Sequence, residues 1–306
     1  MAIIAVGSIN TDLVVRVESF PIPGETVYGD EFATYAGGKG ANQAAAAARL
    51  NGKVKMIGAV GDDVNSSERL ADLKDAGVDI SPVMIRSQSP GGVALIQVDA
   101  SGQNQIVIVP GANGTVSPDD IRHELPDLLS AGDLVLLQFE LPFETVKQSL
   151  EQCRSQGARS IVNTAPYVTG TADLLSLIDI LVVNEIEAGQ LLGIKPVSLD
   201  QAEDAARDLL ARGPEVVFVT LGGDGAVICD ADSCEHIPAP DVDVVDTTGA
   251  GDATVGAFAM ALDEGQDVAA AARIAVMTGS FAVQRPGAQP SQPTRSELDA
   301  FVAKHS

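Results

Sequence analysis

Basic residues are scarce in this chain. Among 306 residues, 19 Lys and Arg stand against 42 Asp and Glu, which gives a net charge of −23. Proteins that bind nucleic acids need a basic surface to displace counterions from the phosphates. The sequence contains no Lys/Arg cluster of that kind, so nucleic acid is excluded as a partner. The excess of acid indicates a solvated acidic surface or, alternatively, adaptation to a salt-rich environment.

Cysteine and long hydrophobic runs are also rare. Cys153, Cys229 and Cys234 form no C-x-x-C pair and have no His at ligand spacing, so we expect three reduced thiols. No apolar run approaches the ~20 residues that span a membrane. The N-terminal residues lack the basic region of a signal peptide. The expectation is a soluble, cytoplasmic protein with no membrane partner.

Hydrophobic residues are concentrated in short β-branched segments that alternate with helical patterns. These segments are too apolar for strands with one exposed face, so they predict a sheet covered on both faces. The alternation is typical of a doubly wound α/β fold with a mostly parallel sheet, whose ligands bind beyond the carboxyl ends of the strands. The predicted strands are 2–7, 54–61, 133–140, 160–166, 179–184 and 216–223, and the predicted helices are 39–51, 66–76, 142–156, 200–212, 249–263 and 267–284.

Two pairs of segments interrupt this alternation. Residues 12–18 with 26–34, and 92–98 with 105–109, show the alternating pattern and turn-rich connections of β-hairpins. We therefore expect a single α/β domain over residues 1–306 that carries a small β-sheet lid, formed by inserted segments at about 12–34 and 92–109. An apolar face on this lid would favour a homodimer. The alternative is that these strands extend the main sheet.

Residues 246–252, with the sequence DTTGAGD, precede an Ala- and Gly-rich helical segment. Glycines that open a helix leave backbone N–H groups unpaired, and the helix dipole adds positive potential behind them. This pattern predicts a backbone anion site at Gly249–Gly251. Asp252 is then placed to take a proton from a hydroxyl that attacks a phosphoryl group. The alternative is an Asp that only caps the helix.

A second glycine cluster, GGKGAN at residues 37–42, precedes another predicted helix. It lacks the Gly-x-x-x-x-Gly-Lys-Ser/Thr spacing of a Walker A loop. Close backbone approach, with Lys39 and Asn42 as donors, suits a polyhydroxylated ligand. After the first strand, Asn10 adds an amide and Asp12 adds a carboxylate that can accept two hydroxyl protons.

Acidic and amide side chains end other predicted strands. Glu140 ends the predicted strand 133–140. Asn184 ends the predicted strand 179–184, and Glu187 follows it by three residues. Carboxylates at one edge of a sheet suit a hard cation, held directly or through water. Each is also a common helix N-terminal acid. The Gly-rich residues 220–225 form a turn between two strands, which is either a plain turn or a loop that faces a nucleotide.

These motifs, in this order and at these separations, resemble those of the ribokinase-type (PfkB) carbohydrate kinases. The resemblance extends from Gly7 to about Ser291, nearly the whole chain, and its most specific part is 246–252. The motifs that resemble the ribose-phosphorylating members of the family are those at residues 7–12, 38–42, 92–96, 110–113 and 287–291.

The resemblance implies a role for each matching residue. It implies sugar contacts at Asn10, Asp12, Gly38, Lys39, Asn42 and Glu140; a base at Asp252 with an anion hole at Gly249, Ala250 and Gly251; and ATP contacts at Asn184, Thr220, Gly222, Gly225 and Gly251. It implies that Glu187 helps to place Mg²⁺. It also implies that an activating K⁺ is held by Asp246, Thr248, Ser291 and the carbonyls of Ala282, Arg285 and Gly287. Val276 departs from the family pattern, which often has Asn or His near the adenine at this position.

The expected function is transfer of the γ-phosphate of ATP to the 5-hydroxyl of D-ribose. Phosphoryl transfer requires alignment and charge compensation more than covalent chemistry from the protein. One alternative is a related kinase for deoxyribose, fructose or a nucleoside. Another is a catalytically silent sugar-binding protein on the same scaffold, which the presence of Asp252, the anion-hole glycines and Glu187 disfavours.

Overall fold

The computed structural model describes residues 2–305. Within them the strands are β1 (Ile3–Val6), β2 (Asn10–Val17), β3 (Gly29–Gly37), β4 (Val54–Ile57), β5 (Ala59–Gly61), β6 (Met84–Arg86), β7 (Gly92–Val98), β8 (Asn104–Val109), β9 (Leu134–Leu137), β10 (Arg159–Asn163), β11 (Ile180–Asn184), β12 (Val216–Thr220), β13 (Ala226–Cys229) and β14 (Cys234–Ile237). The central sheet has the order β14-β13-β12-β11-β10-β9-β1-β4. The strands from β12 to β4 are parallel, and the hairpin β13-β14 continues the sheet antiparallel.

Helices cover both faces of this sheet. They are α1 (Lys39–Arg49), α2 (Val64–Asp75), α3 (Pro118–Glu124), α4 (Phe143–Gln156), α5 (Glu185–Leu192), α6 (Leu199–Leu210), α7 (Ala250–Asp263), α8 (Val268–Ala282), α9 (Ala288–Ser291) and α10 (Arg295–His305). Successive residues of β1 belong to different cores, because side chains alternate across a strand. Ile3 packs with α1, α7 and α8, whereas Ile4 packs with α4, α5 and α6. The doubly wound fold predicted from the sequence is therefore confirmed.

The two interrupting pairs of segments form a separate four-stranded sheet of order β3-β2-β7-β8. Strands β2 and β3 are antiparallel, as are β7 and β8, and the two hairpins meet through the parallel pair β2-β7. The alternative of an extended main sheet is wrong. Leu95 and Val107 are directly paired on one face of this small sheet and are 46% and 61% exposed.

Two expectations are corrected. The segment 54–61 is not one strand: β4 belongs to the central sheet, whereas β5 pairs with β6 in a separate ribbon. The break falls at Gly58, where a Cβ atom would lie 2.7 Å from the carbonyl oxygen of Gly7. Cys229 and Cys234 are not separate thiols, because they face each other in the β13-β14 hairpin and form a disulfide. Cys153 is free and buried, as expected.

None of the helices within residues 2–305 is long and apolar enough to cross a membrane.

Candidate functional site

Polar residues from several strand ends line one cavity of about 210 Å³. The cavity lies at the carboxyl edge of the central sheet, where ligands bind in doubly wound folds. Its wall is formed by Lys39, Asn163, Ala165, Val182, Asn184, Glu187, Thr220, Thr247, Gly249, Gly251, Asp252 and Val255. The structure therefore brings together residues that the sequence separates by more than 200 positions.

The first turn of α7 forms one side of this cavity. Gly249 precedes the helix with φ +74°, a conformation that side chains rarely adopt, and a Cβ atom there would lie 2.7 Å from Cα of Ala288. Gly251 faces open space, because a Cβ atom added there would meet no atom within 4 Å. An open helix N-terminus with exposed N–H groups is suited to a phosphate.

Asp252 lies in this first turn and is buried, with 6% of its surface exposed. Both carboxylate oxygens accept hydrogen bonds from side-chain amides of α1. Asn42 Nδ2 donates to Oδ2 at 2.9 Å, and Gln43 Nε2 donates to Oδ1 at 3.0 Å. Asn42 is thus engaged inside the protein, and Gln289 Nε2 donates to its oxygen at 3.1 Å.

Close packing of α1 against α7 makes these contacts possible. A Cβ atom on Gly256 of α7 would lie 2.5 Å from the carbonyl oxygen of Gln43 and 2.6 Å from Cβ of Ala46. Residues 44–48 of α1 are alanines, and they are buried. Small side chains on both helices therefore let the backbones approach until the amides of α1 reach Asp252.

A group of charged residues surrounds Asp12 on β2. Its carboxylate lies against Gly37, where a Cβ atom would be 2.2 Å from Oδ1. Burial, followed by the charges of Glu140 and Asp252, raises the pKa of Asp12 to about 7, against the opposing charge of Arg69 and Lys39. The small sheet therefore presents Asp12 to the same site as Asp252.

Lys39 is the first residue of α1, and the side chain of Glu140 lies against this end of the helix. Lys39 N and Ser8 Oγ both donate to Glu140 Oε2. Burial lowers the pKa of Lys39, but the carboxylates of Asp252, Glu140, Glu187 and Asp12 outweigh burial and raise it above its usual value. Gly38 precedes this helix with φ +89°, and a Cβ atom there would lie 2.7 Å from the backbone of Ser8 and Asn10.

Asn10 is buried and is held by Asn113, a residue of the 110–113 motif with no role assigned from the sequence. Asn113 Nδ2 donates to Asn10 Oδ1 at 2.7 Å and to the carbonyl of Ile9, while Asn113 Oδ1 accepts Ile9 N. This contact leaves the Nδ2 group of Asn10 as the end that can donate to a ligand. Gly92 is required here, because a Cβ atom would lie 2.2 Å from both side chains.

Asn184 and Glu187 form a reciprocal cap at the start of α5. Asn184 Oδ1 accepts the N–H groups of Ile186 and Glu187, and Glu187 Oε2 accepts Asn184 N at 3.0 Å and Thr164 Oγ1 at 3.4 Å. Burial raises the pKa of Glu187 above its usual value. Within residues 2–305 no group of three or more His, Cys, Asp or Glu side chains could enclose a metal ion. Glu187 is a carboxylate in the cavity wall, and a single carboxylate is a donor that suits Mg²⁺, which keeps several waters and binds through few carboxylates together with phosphates.

The predicted nucleotide loop is only partly in the cavity wall. Thr220 ends β12 and lines the cavity, whereas Gly222 and Gly225 lie outside its wall. A Cβ atom on Gly225 would lie 2.0 Å from the carbonyl oxygen of Ile237, so packing against β14 accounts for this glycine. Val276 is buried in the core next to the central sheet and offers no polar group to an adenine.

Asp246 joins the two segments that contain the predicted K⁺ ligands. Its Oδ1 accepts Thr248 N at 2.9 Å, and its Oδ2 accepts Gly287 N at 2.8 Å. These hydrogen bonds lower the pKa of Asp246, although burial acts in the opposite direction. The oxygen donors here are of the kind that hard cations take.

Two of the remaining predicted K⁺ ligands, the carbonyl of Ala282 and the hydroxyl of Ser291, have partners of their own. The carbonyl of Ala282 accepts Arg285 N, and the Arg285 side chain pairs with Glu297. Ser291 is buried, and its Oγ donates to the carbonyl of Ala288.

A larger cavity of about 570 Å³ lies near the amino ends of β9 and β10. Arg159 and Arg273 line it, but both are paired, with Glu215 and Glu235 respectively. Its position away from the carboxyl edge, and the absence of the residues described above, make it a poor candidate for the active site.

The buried amides Gln43, Gln138 and Gln289 were missed by sequence reasoning. Gln43 directly follows the GGKGAN motif, and this position is the one sequence feature that could have marked it as a site residue. Gln138 follows the end of β9 and lies two positions before Glu140. This closeness to Glu140 is its one distinguishing feature in the sequence.

Comparisons with known proteins identify the family of the chain. The family model described as pfkB family carbohydrate kinase matches residues 2–295. The chain is 36% identical to the ribokinase of Staphylococcus aureus over 299 residues, covering 97% of this chain and 98% of that protein. It is also 36% identical to the deoxyribokinase of Salmonella typhi over 304 residues, covering 99% of both proteins.

A solved structure gives the same result at the level of the fold. The structure of Arabidopsis thaliana ribokinase complexed with ribose and ATP superposes with a TM-score of 0.89, at 34% identity and with 98% of both chains covered. The sequence resemblance and the ribokinase-like fold are therefore confirmed, and the chain belongs to the pfkB family of carbohydrate kinases and is an ATP-dependent sugar kinase.

Proposed function

We propose that this enzyme transfers the γ-phosphate of ATP to the 5-hydroxyl of D-ribose. The observation that carries the proposal is the position of Asp252. It is a buried carboxylate in the first turn of a helix whose starting residues Gly249 and Gly251 line the same cavity. Ribokinases among the relatives, including one solved with ribose and ATP, support ribose as the acceptor.

Asp252 acts as the base in the proposed reaction. It takes the proton of the primary hydroxyl as the oxygen attacks the γ-phosphorus. The N–H groups of Gly249, Ala250 and Gly251 stabilise the negative charge that develops on the transferred group. Because these donors are fixed by the backbone, they need little reorganisation during the reaction.

The sugar is held by residues of both sheets. Asp12 accepts hydrogen bonds from sugar hydroxyl groups, and Asn10 donates through the amide end left free by Asn113. Lys39 and Glu140 complete the contacts together with Gly38 and Asn42. Closure of the small sheet over the sugar excludes water, which limits hydrolysis of ATP.

The nucleotide and cations take the other side of the cavity. Asn184, Thr220, Gly222, Gly225 and Gly251 contact ATP. Glu187 places Mg²⁺, which supplies charge compensation for the phosphates when it is bound. Asp246, Thr248, Ser291 and the carbonyls of Ala282, Arg285 and Gly287 hold an activating K⁺.

We also propose a homodimer that forms through the small sheet in the cytoplasm. The paired and exposed Leu95 and Val107 support this arrangement, because contiguous exposed apolar surface marks interaction sites. The single α/β domain with a lid is part of the same proposal.

The test measures ADP release with ATP, Mg²⁺ and K⁺ for D-ribose, 2-deoxyribose, fructose and adenosine. We expect the highest kcat/KM for ribose. A preference for 2-deoxyribose would move the acceptor to that of the deoxyribokinase relative, and a preference for adenosine would make the chain a nucleoside kinase.

The Asp252→Asn variant separates binding from chemistry. We expect ribose to bind with unchanged affinity while kcat falls by about 10³-fold or more, because general-base catalysis is lost. Turnover close to that of the parent enzyme would show that Asp252 is not the base.

A further inference from the structure

Asp252 is the end point of two chains of buried side-chain amides. In the first, Gln138 Nε2 donates to Gln43 Oε1 at 2.6 Å, and Gln43 Nε2 donates to Asp252 Oδ1 at 3.0 Å. In the second, Gln289 donates to Asn42, which donates to Asp252 Oδ2. All four amides are 5% exposed or less.

The outer amide in each chain fixes the orientation of the inner one. A Gln side chain can present either its oxygen or its NH₂ group to a neighbour. Because Gln138 donates to Gln43 Oε1, the Nε2 group of Gln43 is turned toward Asp252. The second hydrogen of that Nε2 is directed to Asn163 Oδ1 at 3.2 Å. Every polar group of the Gln43 side chain therefore has a partner, and rotation would break several hydrogen bonds at once.

The charges around Asp252 make these donors important. Asp12 on β2, Glu140 after β9 and Glu187 on α5 are carboxylates at the same site, and Lys39 on α1 is the basic side chain in the cavity wall. Carboxylates that are ionised disfavour a further negative charge beside them, whereas N–H donors stabilise one. Amides supply such donors without taking up a proton themselves.

We propose that Gln43 is a positioning residue, oriented by Gln138, whose Nε2 donor holds the Asp252 carboxylate directed at the attacking hydroxyl. This inference rests on the proposed role of Asp252 as the base. Gln43 touches neither substrate nor nucleotide in this scheme, so its contribution falls on the chemical step. Ground-state binding of the sugar depends on other residues.

The test compares Gln43→Met and Gln43→Glu with the parent enzyme. The Met variant keeps the length of the side chain but removes the donor, and the Glu variant replaces the donor by a fourth carboxylate among the neighbours of Asp252. The profile of kcat against pH is measured at saturating D-ribose and MgATP, because it reports groups in the substrate complex rather than Asp12 in the free enzyme. Ribose affinity is measured separately by calorimetry.

We expect kcat of the Met variant to fall about 10- to 100-fold near pH 7, which is the effect of a lost hydrogen bond to a charged group. The acidic limb of the profile moves up in the Met variant and further in the Glu variant, because the lost donor and the added carboxylate both disfavour a neighbouring negative charge. Ribose affinity stays within about twofold. Gln138→Leu, which frees Gln43 to rotate, moves the limb in the same direction by a smaller amount.

A merely structural role predicts a different result. Loss of packing would lower kcat by the same factor at every pH and leave the limb in place, which would overturn the inference. Ser149→Ala on α4 is the matched control, since it removes a buried hydrogen bond to the carbonyl of Thr145 away from the site. It should not move the limb.

The Asp252→Asn variant distinguishes the two possible failures. If it is inactive and the Gln43 variants show no shift of the limb, the inference about Gln43 fails and the proposed base stands. If Asp252→Asn retains turnover, the proposed base itself fails.

Discussion

Asp12, a proposed sugar contact, is held in the fold at a cost in stability. It is partly buried on β2, and burial together with the charges of Glu140 and Asp252 raises its pKa to about 7 from the usual 3.8. The folded protein therefore binds a proton at Asp12 between about pH 4 and pH 7, where the unfolded chain has lost it. Under linkage, the free energy of unfolding must fall as the pH rises through this window.

The size of this effect follows from the two pKa values. The full difference corresponds to about 4 kcal/mol of unfolding free energy, at about 1.4 kcal/mol for each pKa unit. Between pH 5 and pH 8 the same relation gives a loss of about 2.5 kcal/mol. Asp12→Asn removes the titrating group and keeps nearly the same shape. The variant should gain about 2.5 kcal/mol relative to the parent between pH 5 and pH 8.

The assay is urea unfolding of the parent and of Asp12→Asn at both pH values without sugar. Any effect of the substitution on packing changes the free energy of unfolding equally at both pH values, so it drops out of the difference between them. Asp119→Asn on α3 is a control for the loss of a carboxylate from an acidic chain, because Asp119 is 78% exposed. A stability difference between parent and Asp12→Asn that is the same at pH 5 and pH 8 would refute the argument.

Three further predictions concern the proposed anion hole, cation site and dimer. Gly249→Ala should lower kcat by about 100-fold or more and leave ribose affinity intact, because φ +74° and the contact with Ala288 displace the N–H groups; an unchanged kcat would contradict this. Asp246→Asn should abolish the difference in rate between K⁺ and Na⁺, so a preserved ratio would remove Asp246 from the cation site. Val107→Glu should convert a dimer to a monomer in sedimentation velocity, since it buries charge in the proposed interface; a parent protein that is already monomeric would exclude that interface.

The sequence predicts this fold well because its strongest signals are local. Runs such as 179–184 are apolar enough to identify strands buried on both faces, and β11 occupies Ile180–Asn184. The hairpin of β7 and β8 was recognisable from alternation and a turn. The division of 54–61 was not, because it depends on how closely Gly58 approaches Gly7 in the folded chain.

The candidate site was predictable where backbone conformation demands particular residues. Gly249 and Gly38 have positive φ values at helix starts, so their identity is visible in the sequence. Gln43 and Gln138 were missed because their role depends on a helix approach set by Gly256 and Ala46, residues that carry no chemistry. The Cys229–Cys234 pairing was missed for a related reason, since β14 was not predicted as a strand.

The charge of the site follows from the composition of the chain. With a net charge of −23, the protein has few cations to offer a polyphosphate, and Lys39 is the one basic side chain among the described residues of the cavity wall. Positive potential from the α7 N-terminus does not require basic residues, because it comes from oriented peptide groups. Such groups cannot be titrated, and they act at short range inside a low-dielectric cleft. In the proposed reaction such a site depends on a divalent cation for the remaining charge of ATP, and we propose that its carboxylates, Asp12, Glu140, Glu187 and Asp252, serve the acceptor and the metal.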